Sequence, residues 1–311
     1  MNMKTVYLNK FMSSVVAELE SNGQYGTAHV CGSVLRSVMA FGGEGLPVSG
    51  ITPLWLKAYE GYLLHKGGKG LAWNTVSTYM RMLQAVYNRA VVRKLAAFIP
   101  HQFRDVFTGR KADHRRVLER DDMQKLLVDR EPDITSPGMA WARACLELMF
   151  RFHGMPFVDL AHLRKSDLKD GYLTLRRRKT GMPLSARVDG RAMQLLERYR
   201  NRDGTSPYLL CFLDGNLEGM AAYRDYQRIL RLLNSRLRAL ALWKKVQGKV
   251  TSYSARHTWA TVGRYCHIPI EVISEGLGHA SVTTTEGYMK GFGNSRMDRA
   301  NKVIMNYIFK G

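Results

Sequence analysis

The feature that most constrains the fold is a long amphipathic helix pattern in residues 71–94, which read LAWNTVSTYMRMLQAVYNRAVVRK. Apolar side chains recur there every three to four residues, the spacing that places them on one face of an α-helix. Asn74 is of a residue type that caps helix N-termini. The pattern predicts a buried face made of Val76, Tyr79, Met80, Leu83, Val86, Tyr87 and Ala90. At least this part of the core is therefore expected to consist of packed helices.

The opposite face of the same helix is polar. Its members are spaced by three or four residues and comprise Ser77, Arg81, Gln84 and Asn88. Such a stripe could lie along a phosphate backbone or in a nucleic-acid groove. Every surface helix has a polar face, however, so the pattern alone leaves simple solvent exposure as an equal alternative.

The charge balance favours a polyanionic partner. Lys and Arg number 47 against 26 Asp and Glu, a formal net charge of +21. A basic excess of this size indicates nucleic acid first and an anionic membrane second, with a merely solvated basic surface as the alternative. No apolar run approaches the eighteen or so residues needed to cross a bilayer, and no secretory signal is evident. We therefore expect a cytoplasmic protein without membrane binding, whose four scattered cysteines are reduced core thiols.

The order of patterns along the chain predicts two domains. Residues 1–103 are predicted to be helical, and residues 104–116 lose periodicity and are interpreted as a linker. In residues 117–311 several helical patterns surround GYLTLRRRKTGMPLSARV, which alternates, turns at Thr180 and Gly181, and is typical of a β-hairpin. The expected fold class is mainly α with a small β-sheet, an α+β fold.

Four residues of the second domain could act together on a phosphodiester. Arg256 opens a helix, His279 lies on a glycine-flanked loop, Tyr288 follows nine residues later, and Lys179 lies near the hairpin tip. Metal-free cleavage needs a nucleophile, cations for the non-bridging oxygens and an acid for the leaving oxygen. A tyrosine hydroxyl, with a reference pKa of about 10, needs a nearby base or cation to act as that nucleophile.

The alternative of a metal site is weak. The residues that could bind zinc have no familiar ligand spacing; they are His257, Cys266, His267 and His279. We expect neither a metal nor a cofactor.

The motifs SARHTWAT and LGHASVTTTEGY together resemble the tyrosine recombinase (phage integrase) family. RRRKTG is similar to the β-hairpin lysine segment of that family, and GMPFVDLAHLRKSDL to the segment of its first active-site arginine. The latter wording is shared with a Bacteroides-type, DNA invertase-like subgroup. The helical first domain resembles the SAM-like core-binding domain of the family.

The resemblance implies a site-specific recombinase that cleaves and rejoins duplex DNA. Tyr288 would form a 3′-phosphotyrosine link, and Arg256, His279 and Lys179 would assist it. Strand exchange would run within a homo-tetramer on DNA, with accessory DNA-bending proteins as further partners, and would produce inversion, excision or integration. A C-terminal tail with Val303 and Tyr307 on one face would dock on a neighbouring protomer. The polar stripe of the first domain and the hairpin residues Arg176 and Arg178 would contact DNA.

Two positions depart from the family pattern. The family has histidine three residues before Arg256, where this chain has Tyr253. We interpret Tyr253 as a substitute that donates a hydrogen bond to a phosphate oxygen. The first family arginine corresponds to Pro156, which cannot bind phosphate. Arg151 or His153 is the candidate to replace it, and Asp159 matches the acidic residue that orients this arginine. The Pro156 departure favours one alternative, a DNA-binding protein without catalysis. A second alternative is a type IB topoisomerase-like enzyme, which would use the same tyrosine chemistry to relax DNA as a monomer.

Overall fold

The computed structural model describes residues 5–111, 117–127, 136–279, 281–286, 289 and 301. These residues divide into two compact units. The first comprises the described residues up to Lys111 together with Glu218–Tyr223, and the second comprises the remainder. Tyr288 and the C-terminal tail that carries Val303 and Tyr307 lie outside the described residues.

In its described residues the first unit is built from four α-helices, which are α1 (Leu8–Ser21), α2 (Tyr25–Gly42), α3 (Pro53–His65) and α4 (Trp73–Val92). All seven predicted apolar positions of α4 face inward, although Tyr79 is only half-buried. Helix α3 begins where the Thr52 hydroxyl accepts a hydrogen bond from the Trp55 N–H, with Pro53 in the first turn. The core of the unit is therefore a set of amphipathic helix faces packed together.

Residues 104–111, which the sequence assigned to a linker, pack within the first unit. Val106 is buried in the helical core, and the Phe107 N–H donates to the buried Glu60 carboxylate on α3 at 2.7 Å. The Lys111 ammonium lies 4.4 Å from the centre of the Trp73 ring. These contacts are made by single side chains without periodicity, so the composition of the segment did not reveal them.

In its described residues the second unit combines eight α-helices with a small sheet, although α9 begins in the Glu218–Tyr223 segment of the first unit. In the described residues the helices are α5 (Arg120–Leu127), α6 (Pro137–Arg151), α7 (Phe157–Ala161), α8 (Gly190–Arg198), α9 (Gly219–Trp243), α10 (Ser254–Tyr265), α11 (Ile270–Leu277) and α12 (Val282–Glu286). The strands are β1 (Leu168–Lys169), β2 (Tyr172–Arg176) and β3 (Pro183–Arg187). They form one antiparallel sheet in the order β1-β2-β3, and Thr174 pairs with Ser185 in the predicted hairpin.

The predicted fold class, mainly helical with a small sheet, is confirmed. Of the four cysteines, Cys31 and Cys145 are buried as expected, whereas Cys211 and Cys266 are exposed, and all four are free thiols. Among the described residues, no helix is both long and apolar enough to cross a membrane.

Candidate functional site

Arg256 is held at the start of α10 by two other segments of the second unit. Its side chain is 5% exposed. Its Nη1 donates to the Gly154 carbonyl oxygen at 3.1 Å, and its Nη2 donates to the Leu277 carbonyl oxygen at 2.6 Å. Gly154 has φ of 65°, and a Cβ there would lie 3.0 Å from the Arg256 Cα. A glycine is required at this position because the backbone of α10 passes directly against it.

His279 lies against Arg256 and follows α11, whose C-terminal Gly278 adopts the left-handed conformation at φ 62°. The His279 Nε2 lies 2.7 Å from the Arg256 Nη2, and Nδ1 lies 2.8 Å from the buried Thr285 hydroxyl of α12. A guanidinium can only donate, so Nε2 accepts and the Nδ1–H donates to Thr285. Arg256 therefore fixes the tautomer of His279, and the Thr285 hydroxyl accepts the Nδ1–H.

The electrostatic surroundings keep His279 neutral. Burial, followed by the charges of Arg256, Arg177 and Lys179, lowers the pKa of His279 to about 4. At neutral pH its Nε2 consequently carries no proton and accepts the hydrogen bond from Arg256, and an unprotonated imidazole nitrogen is one that can take up a proton.

Lys179 lies in the turn of the β2–β3 hairpin, as predicted. The turn is closed by hydrogen bonds from the Arg177 N–H to the Met182 carbonyl at 2.9 Å and from the Gly181 N–H to the Arg177 carbonyl at 2.8 Å. Lys179 is exposed, and its charge acts on the pKa of His279. Arg176 and Arg178, the predicted DNA contacts of this hairpin, are also exposed.

Arg177 is the site residue that the sequence reasoning missed. It is 4% exposed. Its Nη1 lies 3.5 Å from the Asp159 carboxylate, and its Nη2 donates to the Gly276 carbonyl oxygen at 3.1 Å. Burial and the Arg256 charge lower the pKa of Arg177 to about 10, against the influence of Asp159, so the side chain stays charged at neutral pH. The sequence predicted DNA contacts for Arg176 and Arg178 and no role for Arg177, but strand alternation places 177 on the inner face with Leu173 and Leu175.

Of the two candidates for the missing arginine, Arg151 is held by carboxylates and His153 packs beside the site, within reach of the Arg177 charge. The Arg151 guanidinium is paired with Glu147 at 2.9 Å and Asp189 at 2.6 Å. The His153 ring packs 5.7 Å from the Trp259 ring, and burial with the Arg177 charge lowers its pKa. The expectation for Arg151 is therefore corrected: two carboxylates on α6 and at the start of α8 hold its guanidinium.

Pro156 precedes α7 and carries no polar side chain, as the sequence implied. The Asp159 carboxylate on α7 is buried, and it accepts the Arg178 N–H at 3.0 Å as well as facing Arg177. Burial raises the pKa of Asp159, whereas the Arg178 hydrogen bond and the charges of Arg177 and Arg256 act in the opposite direction. Asp159, which the family resemblance matches to the acidic residue that orients an arginine, thus faces Arg177 of the hairpin.

Tyr253 directly precedes α10 and is 39% exposed, with its ring 6.2 Å from that of His257. It is accessible on the turn that leads into Arg256, where a phenol could donate to an anion.

The polar face of α4 is only partly exposed. Ser77 is buried, and its hydroxyl donates to the Gly109 carbonyl oxygen at 2.6 Å, so the expectation that it contacts DNA is corrected. Arg81 and Asn88 are exposed, and Gln84 is half-buried. The spacing correctly predicted a polar face on α4, but residues 104–111 pack against this helix and cover Ser77.

The described residues of the second unit thus form a cationic site in which Arg256 contacts a neutral His279 and the charges of Arg177 and Lys179 also act on it. Such a set can neutralise a phosphoryl group, supply a proton and take one up. No group of three His, Cys, Asp or Glu side chains in the described part of the chain lies close enough together to hold a metal ion.

Comparison with known proteins identifies related sequences. Residues 7–104 match the phage integrase SAM-like domain, and residues 116–292 match the phage integrase family. The chain is similar to tyrosine recombinase XerA of Pyrococcus furiosus, at 29% identity over 140 residues, covering 44% of this chain and 46% of that protein. It is also similar to the putative integrase/recombinase y4gC of Sinorhizobium fredii, at 28% identity over 180 residues, covering 56% of this chain and 88% of that protein. The XerA match thus spans about half the length of that relative.

Solved structures show the same fold. A lambda integrase dimer bound to a COC′ core site is 19% identical, with a TM-score of 0.66 over 93% of this chain and 97% of that chain. The Tn1549 transposon integrase in complex with circular intermediate DNA is 15% identical, with a TM-score of 0.62 over 96% and 99%. A lambda integrase tetramer bound to a Holliday junction is 16% identical, with a TM-score of 0.61 over 92% and 78%.

Proposed function

This chain belongs to the phage integrase family of tyrosine recombinases, and we propose that it cleaves and rejoins duplex DNA at specific sites through a 3′-phosphotyrosine at Tyr288. The observation that carries the proposal is the partly buried hydrogen bond between Arg256 and the neutral His279, on which the hairpin residue Lys179 also acts through its charge. Tyr288 itself lies outside the described residues, and its role rests on the family motif.

In the proposed reaction the Tyr288 hydroxyl attacks phosphorus, and the bond from phosphorus to the 5′ oxygen breaks. The Arg256 Nη2–H turns from the His279 Nε2 to the phosphate, and the Tyr288 proton passes to Nε2, which carries no proton because the Nδ1–H donates to Thr285. Arg256 neutralises a non-bridging oxygen, and the Lys179 ammonium protonates the leaving 5′ oxygen. Tyr253 donates a further hydrogen bond to the phosphate. Rejoining is the same sequence in reverse.

We propose residues 1–103 as the core-binding domain and residues 117–311 as the catalytic domain, both acting on DNA in the cytoplasm. Arg81, Gln84 and Asn88 would contact the duplex from the first domain, and Arg176 and Arg178 from the hairpin. The lambda integrase tetramer on a Holliday junction supports a homo-tetramer for strand exchange. The orientation of the two sites, with accessory DNA-bending proteins, would decide between inversion, excision and integration.

The test begins by finding the DNA site. The protein is incubated with sheared genomic DNA of the organism that carries the gene, and fragments that remain attached after denaturation in SDS are sequenced. A duplex of the recovered site, nicked beside the cleavage position, then traps the covalent intermediate because the released strand diffuses away. We expect a covalent adduct with wild-type protein and none with Tyr288→Phe.

The matched control is Tyr172→Phe, since Tyr172 is an exposed tyrosine on β2. It should trap DNA as wild type does. If wild-type protein retains genomic fragments under native conditions but none remain attached in SDS, the chain is a DNA-binding protein without catalysis. Relaxation of supercoiled DNA by the monomer without any junction intermediate would instead indicate a topoisomerase.

A further inference from the structure

The second unit contains two buried guanidinium groups side by side, and the mechanism above uses only one. Arg177 and Arg256 are 4% and 5% exposed, and each charge lies close enough to disfavour the other. Both are tied to the same turn, Arg177 through the Gly276 carbonyl and Arg256 through the Leu277 carbonyl. The turn therefore presents two arginines next to His279.

The charges of this cluster do not balance. Asp159 is the only carboxylate that a described contact places against Arg177, and it also feels the charges of Arg256 and Arg178. Burying an excess positive charge costs free energy unless an anion accompanies it. In addition, the Arg177 Nε is buried without a hydrogen-bond partner among the described residues. A buried donor left unpaired is costly, and its presence points to a ligand that completes the site.

We propose that Arg177 is a catalytic residue that replaces the arginine lost at Pro156, donating to a non-bridging oxygen of the scissile phosphate alongside Arg256. This inference rests on the proposed recombinase function. The replacement comes from a different element: the family position is at the start of α7, whereas Arg177 reaches the same Asp159 from the end of β2. An arginine fork from either direction can bind the phosphate oxygens.

A purely structural role is the alternative to be separated. Arg177 also connects Asp159 to the Gly276 turn, and a positioning residue there would slow cleavage by displacing His279. The two roles differ in their dependence on the charge of the phosphate. A catalytic Arg177 acts on the negative non-bridging oxygen, so its loss matters less when that oxygen carries no charge.

The experiment measures single-turnover trapping at saturating DNA on two nicked duplexes of the recovered site. One carries the natural phosphodiester, and the other carries a neutral methylphosphonate at the cleavage position. On the phosphodiester, Arg177→Ala should cleave roughly a hundredfold or more slowly than wild type, the usual effect of removing a transition-state donor. On the methylphosphonate it should cleave at least about ten times faster than on the phosphodiester, while wild type shows no such preference.

Arg143→Ala is the matched control. Arg143 is also 4% exposed in the second unit, and its Nη2 donates to the Leu127 carbonyl oxygen at 3.0 Å, on α5. It should lower the thermal stability without changing the preference between the two duplexes. Arg177→Lys keeps a charge in place without the fork, so it should show a smaller loss on the phosphodiester and the same direction of preference, even if Arg177→Ala does not fold.

Each outcome decides the matter. Equal losses on both duplexes, no cleavage of either by folded Arg177 variants, or no loss at all would overturn the catalytic role of Arg177. Absence of an adduct with wild-type protein would instead overturn the proposed recombinase function, and this result is visible before any Arg177 variant is compared.

Discussion

The positions of the site side chains depend on close packing against backbone, most directly at Gly278, which lies against the Arg177 side chain. It has φ of 62°, and a Cβ there would overlap the Arg177 Nε and lie 2.6 Å from its Cδ. Gly278→Ala should therefore lower the free energy of unfolding by about 2 kcal/mol, from left-handed strain and the clash. It should also slow DNA cleavage strongly, because both Arg177 and His279 shift. Urea unfolding and suicide-substrate trapping measure the two effects.

Gly171 provides the control at the same scale. It has φ of 76°, but a Cβ there would meet open space. Gly171→Ala should cost about 1 kcal/mol through backbone strain alone and leave cleavage unchanged. Similar cleavage rates for the two variants would show that the contact between Gly278 and Arg177 does not matter for the reaction.

The sequence predicted some site residues and missed others for a definite reason. Arg256, His279 and Lys179 belong to motifs with fixed spacing, and the structure places them within electrostatic reach of each other. Arg177 could be found only from the strand that carries it, because its burial depends on the alternation of β2 and not on its arginine neighbours. Arg151 was close in sequence to the vacant position, but two carboxylates hold it elsewhere.

Among the elements, α4 carries two neighbouring polar residues with different expected roles: Ser77 is structural, and Arg81 is expected to bind DNA. Ser77 donates to the Gly109 carbonyl, whereas Arg81 is exposed one turn later. Ser77→Ala should lower stability by about 1 kcal/mol and leave DNA affinity unchanged. Arg81→Ala should weaken DNA binding and reduce the slope of log K against log salt by about one, with stability unchanged. Thermal unfolding and fluorescence anisotropy on the recovered duplex distinguish them; a loss of affinity in Ser77→Ala would restore it as a contact.

Helices were predictable where apolar residues repeat, as in α4, because the period itself reports the buried face. The return of residues 104–111 over the helices was not predictable. Its attachment depends on the hydrogen bond from the Phe107 N–H to Glu60 and on the Lys111 contact with Trp73. Neither contact produces a repeating pattern in the sequence.

At the scale of the whole second unit, half-buried histidines make the free energy of unfolding depend on pH. Burial and nearby arginine charges lower the pKa of His162 and of His279 to about 4 each. The unfolded chain, with histidine pKa near 6.5, binds protons first as the pH falls. The free energy of unfolding should therefore have its full value above about pH 6.5. It should decrease toward pH 4 by up to about 1.4 kcal/mol per pH unit for each histidine.

Urea unfolding between pH 7.5 and 4.5 tests this dependence. His162→Gln removes one of these groups, so the difference in stability between wild type and this variant should shrink as the pH falls. A difference that stays constant across the range would mean that His162 titrates in the same way in the folded and unfolded chain.

The net charge of +21 belongs to the whole molecule, and its consequence is a binding constant that falls steeply with salt. Each phosphate neutralised should contribute about −0.9 to the slope of log K against log salt. Because this contribution does not depend on sequence, the recovered site and a scrambled duplex of equal length should show similar slopes, separated by a constant offset that reports base contacts. Anisotropy titrations from about 50 to 300 mM KCl measure both. If the slope is near zero on both duplexes, the basic excess does not act on DNA, and affinity must come from the few side chains that reach the bases.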